Sequence, residues 1–200
     1  MIQIGNARRN ELENSNINRT GVALFLLSET VFFLILILSF IYFRRFWWSG
    51  TASDPSTHLE PIVTGFFSLA LFASSGTAIF AELNIRRGNW KIGKLALALT
   101  IILGLTFLVG QGREYALLFS DQVVISNSLF GTTFFTLTGF HGMHVFVGLV
   151  MLSILLALSL SSSQRIPTTG AVSSIALYWH FVDAVWVFIF SVVYIWTFLL

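Results

Sequence analysis

The chain has 200 residues, 56% of them hydrophobic and only 10% charged, with 21 phenylalanines and a net charge of +2. This composition excludes a soluble globular domain, and so small a charge, with the basic residues scattered through short connecting stretches, excludes a nucleic-acid-binding footprint. Cysteine is absent, which excludes disulfides, thiolate metal sites and a cysteine nucleophile. The chain reads as an integral membrane protein whose partners are lipid and other membrane proteins.

Crossing the roughly 30 Å hydrocarbon layer takes about 20 apolar residues, because an α-helix rises about 1.5 Å per residue. In chain order, residues 1–20, "MIQIGNARRNELENSNINRT", have no apolar h-region and no small-residue cleavage site, and read as a polar cytoplasmic tail, partly disordered. Five stretches then qualify as spans: Gly21 to Phe46, Ile62 to Leu83, Ile92 to Gln111, Leu129 to Leu160 and Ala171 to Leu200. The last two are long enough to tilt or to project beyond the bilayer. Between them, "SGTASDPSTHLEP", "NIRRGNWK", "GREYALLFSDQVVISN" and "SSSQRIPTTG" hold the turn and charge signals. The expected fold is an all-α membrane protein, a bundle of five transmembrane helices over residues 21–200.

Lys and Arg concentrate in cytoplasmic loops. With the N-terminus inside, the inner segments hold Arg8, Arg9, Arg19, Arg86, Arg87, Lys91, Lys94 and Arg165, against Arg44, Arg45 and Arg113 on the outer side. Eight against three predicts a cytoplasmic N-terminus and, after five spans, a C-terminus outside. No internal repeat or inverted pair of broken helices is visible, which counts against a secondary transporter.

An ionisable residue at bilayer depth costs at least about 2.5–3.5 kcal/mol on insertion scales, so each needs a partner or a purpose. In "LFLLSETVFFLILIL", Glu29 lies about nine residues from the inner end of its span, roughly 13 Å deep. In "FHGMHVFVGL", His141 and His144 share one helix face about 18–22 Å from the outer end. In "YWHFVDAVW", His180 and Asp183 share a face roughly 13–18 Å from the inner end. All these groups fall at similar depth. Glu82 is expected near the inner surface, and Gln111 and Glu114 near the outer one, within reach of headgroups and water.

Two readings stand for the imidazoles and Asp183. They form a structural hydrogen-bond knot, in which polar pairs across helices contribute about 1 kcal/mol each, or they handle protons. Glu29, with no imidazole or basic residue in its own span, is either a proton-handling carboxyl or one end of a plain interhelical hydrogen bond. A metal reading is poorly served: H-x-x-H and H-x-x-D lack the carboxylates of a di-iron bundle. A bis-histidine haem has His141 or His144 with His180 as its candidates. Gly131, Gly139, Gly142 and Gly148, with Ser74, Ser75 and Gly76, suit close helix packing. "RRFWW" at 44–48 and Trp90 suit an interfacial belt, and Trp179, Trp186 and Trp196 face neighbouring helices or another subunit.

The stretches "LSETVFF", "GQGREY", "GTTFFTLTGFHGMHVFVGLVML" and "YWHFVDAVWVFIFSVVYIW" resemble the motifs of subunit III of haem-copper respiratory oxidases. The resemblance runs from about Gly21 to Trp196, and the combination of FHG-x-H with YWHFVD is highly specific. It implies a cofactor-free accessory subunit of a proton-pumping terminal oxidase that reduces oxygen to water. Haem and copper then belong to partner subunits, and the partners are the catalytic subunit I, subunit II and membrane phospholipids. The subunit so implied lies in a bacterial inner membrane, stabilises the catalytic subunit and supports proton uptake. The family's buried glutamate corresponds to Glu29, its motif histidines to His141, His144 and His180, its aspartate to Asp183, and the carboxylate after the third span to Glu114.

The chain departs from the long, seven-span form by lacking the two N-terminal spans, and so is similar to the shorter five-helix bacterial form. One wall of the family's lipid cleft must then come from another subunit. Where long forms often carry a histidine pair, this chain reads "IFAELNIRRGNW", with Glu82 in that neighbourhood. The alternatives are the small subunit accompanying nitric oxide reductases, a proton-coupled transporter using Glu29 and Asp183, and a membrane cytochrome.

Overall fold

Apolar runs of this length become helices in lipid because every backbone N–H and C=O must find its partner within the segment. The computed structural model describes the backbone of residues 2–47, 59–126, 128–160 and 169–196, and the side chains of 20–46, 59–126, 128–160 and 170–196. It consists of α1 (Ile2–Trp47), α2 (Pro61–Arg86), α3 (Trp90–Ser120), α4 (Leu129–Leu160) and α5 (Thr169–Phe190), the last continued by a π-helical turn over Ser191–Ile195. No strand occurs among the described residues. Each of the five helices is long and apolar enough to span a membrane, over Thr20–Phe46, Pro61–Arg86, Trp90–Ser120, Leu129–Leu160 and Gly170–Ile195.

Span starts agree with the sequence reading to within two residues. Differences lie elsewhere. The polar stretch expected to be partly disordered is helical from Ile2, continuous with α1, and it contains no proline to break it. The third span, expected to end at Gln111, stays helical to Ser120, because Arg113 and Glu114 end the apolar run without ending helix propensity. Its true stop is a backbone device: Gln122 adopts φ +60°, and the Val123 N–H bonds back to the Leu118 carbonyl at 2.9 Å. The α2–α3 turn works the same way, with Gly88 at φ +78° and the Asn89 N–H on the Asn84 carbonyl at 2.9 Å. Most of the expected loops at 49–61 and 161–170 lies outside the described residues, at 48–58 with Trp48 of the expected belt and at 161–168 with Arg165, as do 197–200 at the end of the fifth expected span.

Alternating directions gather the C-terminal ends of α1, α3 and α5 with the N-terminal ends of α2 and α4. The helices form a ring: α1 beside α4, then α3, α2 and α5, which returns to α1, while α4 and α5 also touch across the centre. Two glycines make that centre possible. A Cβ on Gly104 would sit 2.8 Å from the Trp179 ring, and one on Gly148 2.7 Å from it, so α3 and α4 close over an indole that is fully buried. By contrast α1 is peripheral, with Leu24, Leu27 and Ile35 more than half exposed.

Candidate functional site

Helix α1 brings Glu29, and α4 brings His144, into a 3.0 Å contact between Oε2 and Nε2. His144 Nδ1 lies 2.7 Å from the Phe140 carbonyl, which can only accept, so Nδ1 carries a hydrogen. Nε2 and Glu29 then share one proton, as acid with neutral imidazole or as carboxylate with imidazolium. Either form leaves the pair without net charge, which is what makes it tolerable at bilayer depth. Tyr178 donates to the His144 carbonyl at 3.1 Å, tying α5 to the same point. Beside it is an apolar cavity of about 340 Å³ between α1, α4 and α5, lined by Val22, Phe25, Met143, His144, Val147 and Tyr178 among others.

The second constellation joins α2 to α5. Ser75 Oγ lies 3.0 Å from His180 Nδ1 and donates to Asp183 Oδ2. Asp183 is buried, and its Oδ1 meets no partner among the described residues. Glu82 follows Ser75 by seven residues on α2, and its carboxylate is held by Arg86 at 2.8 Å. Among the described residues no hydrogen bond connects this group to Glu29 and His144. The groups expected at similar depth fall into two separate clusters.

His141 does not join either one. Its ring is fully buried and neither nitrogen finds a partner among the described residues. It stacks on Trp186 with centroids 4.9 Å apart and meets Phe107 and Phe33 edge-on at 6.0 and 6.2 Å. Three residues before His144, it is turned around α4 toward the rings of α3 and α5 and meets α1 only through Phe33. The contacts of its ring are with aromatic side chains.

Glu114 and Gln111 are the plain correction. They were expected within reach of headgroups and water, yet they are only 3% and 5% exposed, because α3 continues past them and α5 covers them. Glu114 accepts from Tyr194 Oη at 2.5 Å and Thr64 Oγ1 at 3.0 Å, with Gln111 Nε2 at 3.4 Å. Tyr194 stands in the π-helical turn, a register change of the kind that re-aims side chains. At the surface nearby, Arg113 pairs with Glu60 at 2.6 Å.

The sequence reading assigns Ser74 and Ser75 of α2 to helix packing and does not single out Thr64 or Ser68. Thr64, Ser68, Ser75 and Glu82 follow helical spacing and form one polar stripe. Ser68 accepts the Trp186 indole N–H and Ser74 that of Trp179, both at 2.9 Å. The spacing could have revealed the stripe, but the identity of its partners could not be read from one chain. Trp179 and Trp186 do face neighbouring helices, as expected, and Trp196 lies under the Arg44 guanidinium at 5.0 Å. Among the described residues no group of three or more His, Cys, Asp or Glu converges as a metal site needs.

Comparison with known proteins matches the sequence model of cytochrome c oxidase subunit III to residues 10–198. A probable cytochrome c oxidase subunit 3 of Mycobacterium leprae is 34% identical over 188 residues, covering 94% of this chain and 92% of that protein. The cytochrome c oxidase subunit 3 proteins of Cyprinus carpio and Oryctolagus cuniculus are 34% and 32% identical, each over 89% of this chain and 69% of the relative. With five membrane-spanning helices and this match over nearly its whole length, the chain belongs to the cytochrome c oxidase subunit III family.

Proposed function

We propose that the chain is the accessory subunit III of a proton-pumping haem-copper terminal oxidase in a bacterial inner membrane, with its N-terminus in the cytoplasm. It stabilises the catalytic subunit and supports proton uptake, while subunits I and II carry the haem and copper. The observation that supports this reading is the Glu29–His144 pair, a carboxyl and an imidazole in contact at 3.0 Å between α1 and α4. Glu29 is the proton-holding carboxyl in this reading, and His144 positions it. Ser75, His180 and Asp183 form a second polar cluster, Glu114 a third, and His141 packs between them. The apolar cavity beside His144 suits a phospholipid tail.

The test compares the complete oxidase, the oxidase stripped of this chain, and the Glu29→Gln complex. Initial oxygen consumption should survive stripping, with activity then declining faster over turnovers, and Glu29→Gln should reproduce part of that decline. Identical decay in all three overturns the reading.

A further inference from the structure

The span of α5 begins at Gly170, which puts His180 about 15 Å along the helix, well inside the membrane-spanning segment. Its ring is nevertheless partly exposed on the outside of the bundle, where α5 meets α2. Nδ1 is taken by Ser75, and Nε2 has no partner among the described residues. Glu82, the nearest charge along α2, is engaged by Arg86.

The Ser75 hydroxyl has a single hydrogen and two neighbours, so two arrangements exist. With Asp183 ionised, Ser75 donates to it and accepts from Nδ1–H, which leaves Nε2 an acceptor. With Asp183 protonated, the chain runs the other way and Nε2–H is a donor. In both, the partly exposed His180 ring keeps a hydrogen-bonding nitrogen that no described residue satisfies and that lipid tails cannot.

The surroundings are apolar. Leu177 and Val187, which share the His180 face of α5, are 49% and 47% exposed, and Ile79, on the Ser75 face of α2, is 48% exposed. Gly76 next to Ser75 has open space in front of it. A lone polar atom ringed by apolar side chains, with a small residue allowing close approach, is how helices recognise one another in lipid.

We propose that the α2/α5 face docks a transmembrane helix of another oxidase subunit, one that presents a hydroxyl, carboxamide or carboxyl side chain to His180 Nε2. Such groups both donate and accept, and so match either arrangement. The proposal rests on membership of the oxidase family and is independent of the proton-uptake reading.

The test places a photo-crosslinking side chain at Leu177 or Ala184, beside an intact His180, in the oxidase assembled in its native membrane. The expected product joins this chain to another oxidase subunit; products with lipid alone, or with a second copy of this chain, overturn the docking face. Retention of the chain on tagged oxidase through detergent washing is then compared for His180→Ala and His180→Gln. Loss of one interhelical hydrogen bond in lipid should weaken retention roughly threefold in His180→Ala, with His180→Gln recovering it. Equal retention of wild type and His180→Ala overturns His180 as the anchor even where the cross-link forms.

Discussion

His141 and His144 are three residues apart on one helix and have unlike surroundings. His144 has both nitrogens engaged, by Glu29 and the Phe140 carbonyl, whereas His141 has neither engaged and is boxed by aromatic rings. Opposite outcomes are expected from the same substitution. His144→Phe strands a carboxyl at bilayer depth and should cost about 1–3 kcal/mol, read as a lower unfolding temperature of the purified complex. His141→Phe exchanges an unsatisfied ring for an apolar one of similar size and should stay within about 1.5 kcal/mol of wild type, with oxygen consumption unchanged. A large loss of turnover in His141→Phe with stability intact would return His141 to the proton network. Tyr194→Phe removes the shortest donor to buried Glu114 and should cost about 1–3 kcal/mol by the same assay.

Helix boundaries follow two kinds of cause. Where lipid demands internal hydrogen bonding the apolar run locates the helix, as it does for α4, which begins at Leu129 as expected. Where the chain leaves lipid the stop is set by turn geometry, so α3 runs on to Ser120 and ends on the left-handed Gln122. Gly88 holds the corresponding place after α2 with φ +78°, and Gly88→Ala should cost about 1–2 kcal/mol, visible in thermal unfolding. Between helices the decisive element is the Trp179 slot. Gly148→Val pushes a side chain into an indole 2.7 Å from the new Cβ and should cost about 1–3 kcal/mol through overpacking.

For the molecule as a whole, the bundle alternates direction and concentrates Arg86, Arg87, Lys91 and Lys94 at one end. With no native cysteine in the chain, Arg87→Cys and Ser126→Cys give clean labelling sites at opposite ends. An impermeant maleimide should reach position 126 from outside and position 87 only after the cytoplasmic face is opened; the reverse pattern overturns the proposed orientation. The number of membrane-spanning helices and their approximate starts were legible in the sequence, because the bilayer imposes a length and a polarity that a single chain must display by itself. Pairing was not legible. Which imidazole meets Glu29, that Ser75 bridges His180 to Asp183, and that Glu114 lies under Tyr194 instead of at the surface depend on how five helices rotate and close on one another. That rotation is set by side chains far apart in the chain, such as Gly104, Gly148 and Trp179, and only their contact in three dimensions decides which polar groups face each other.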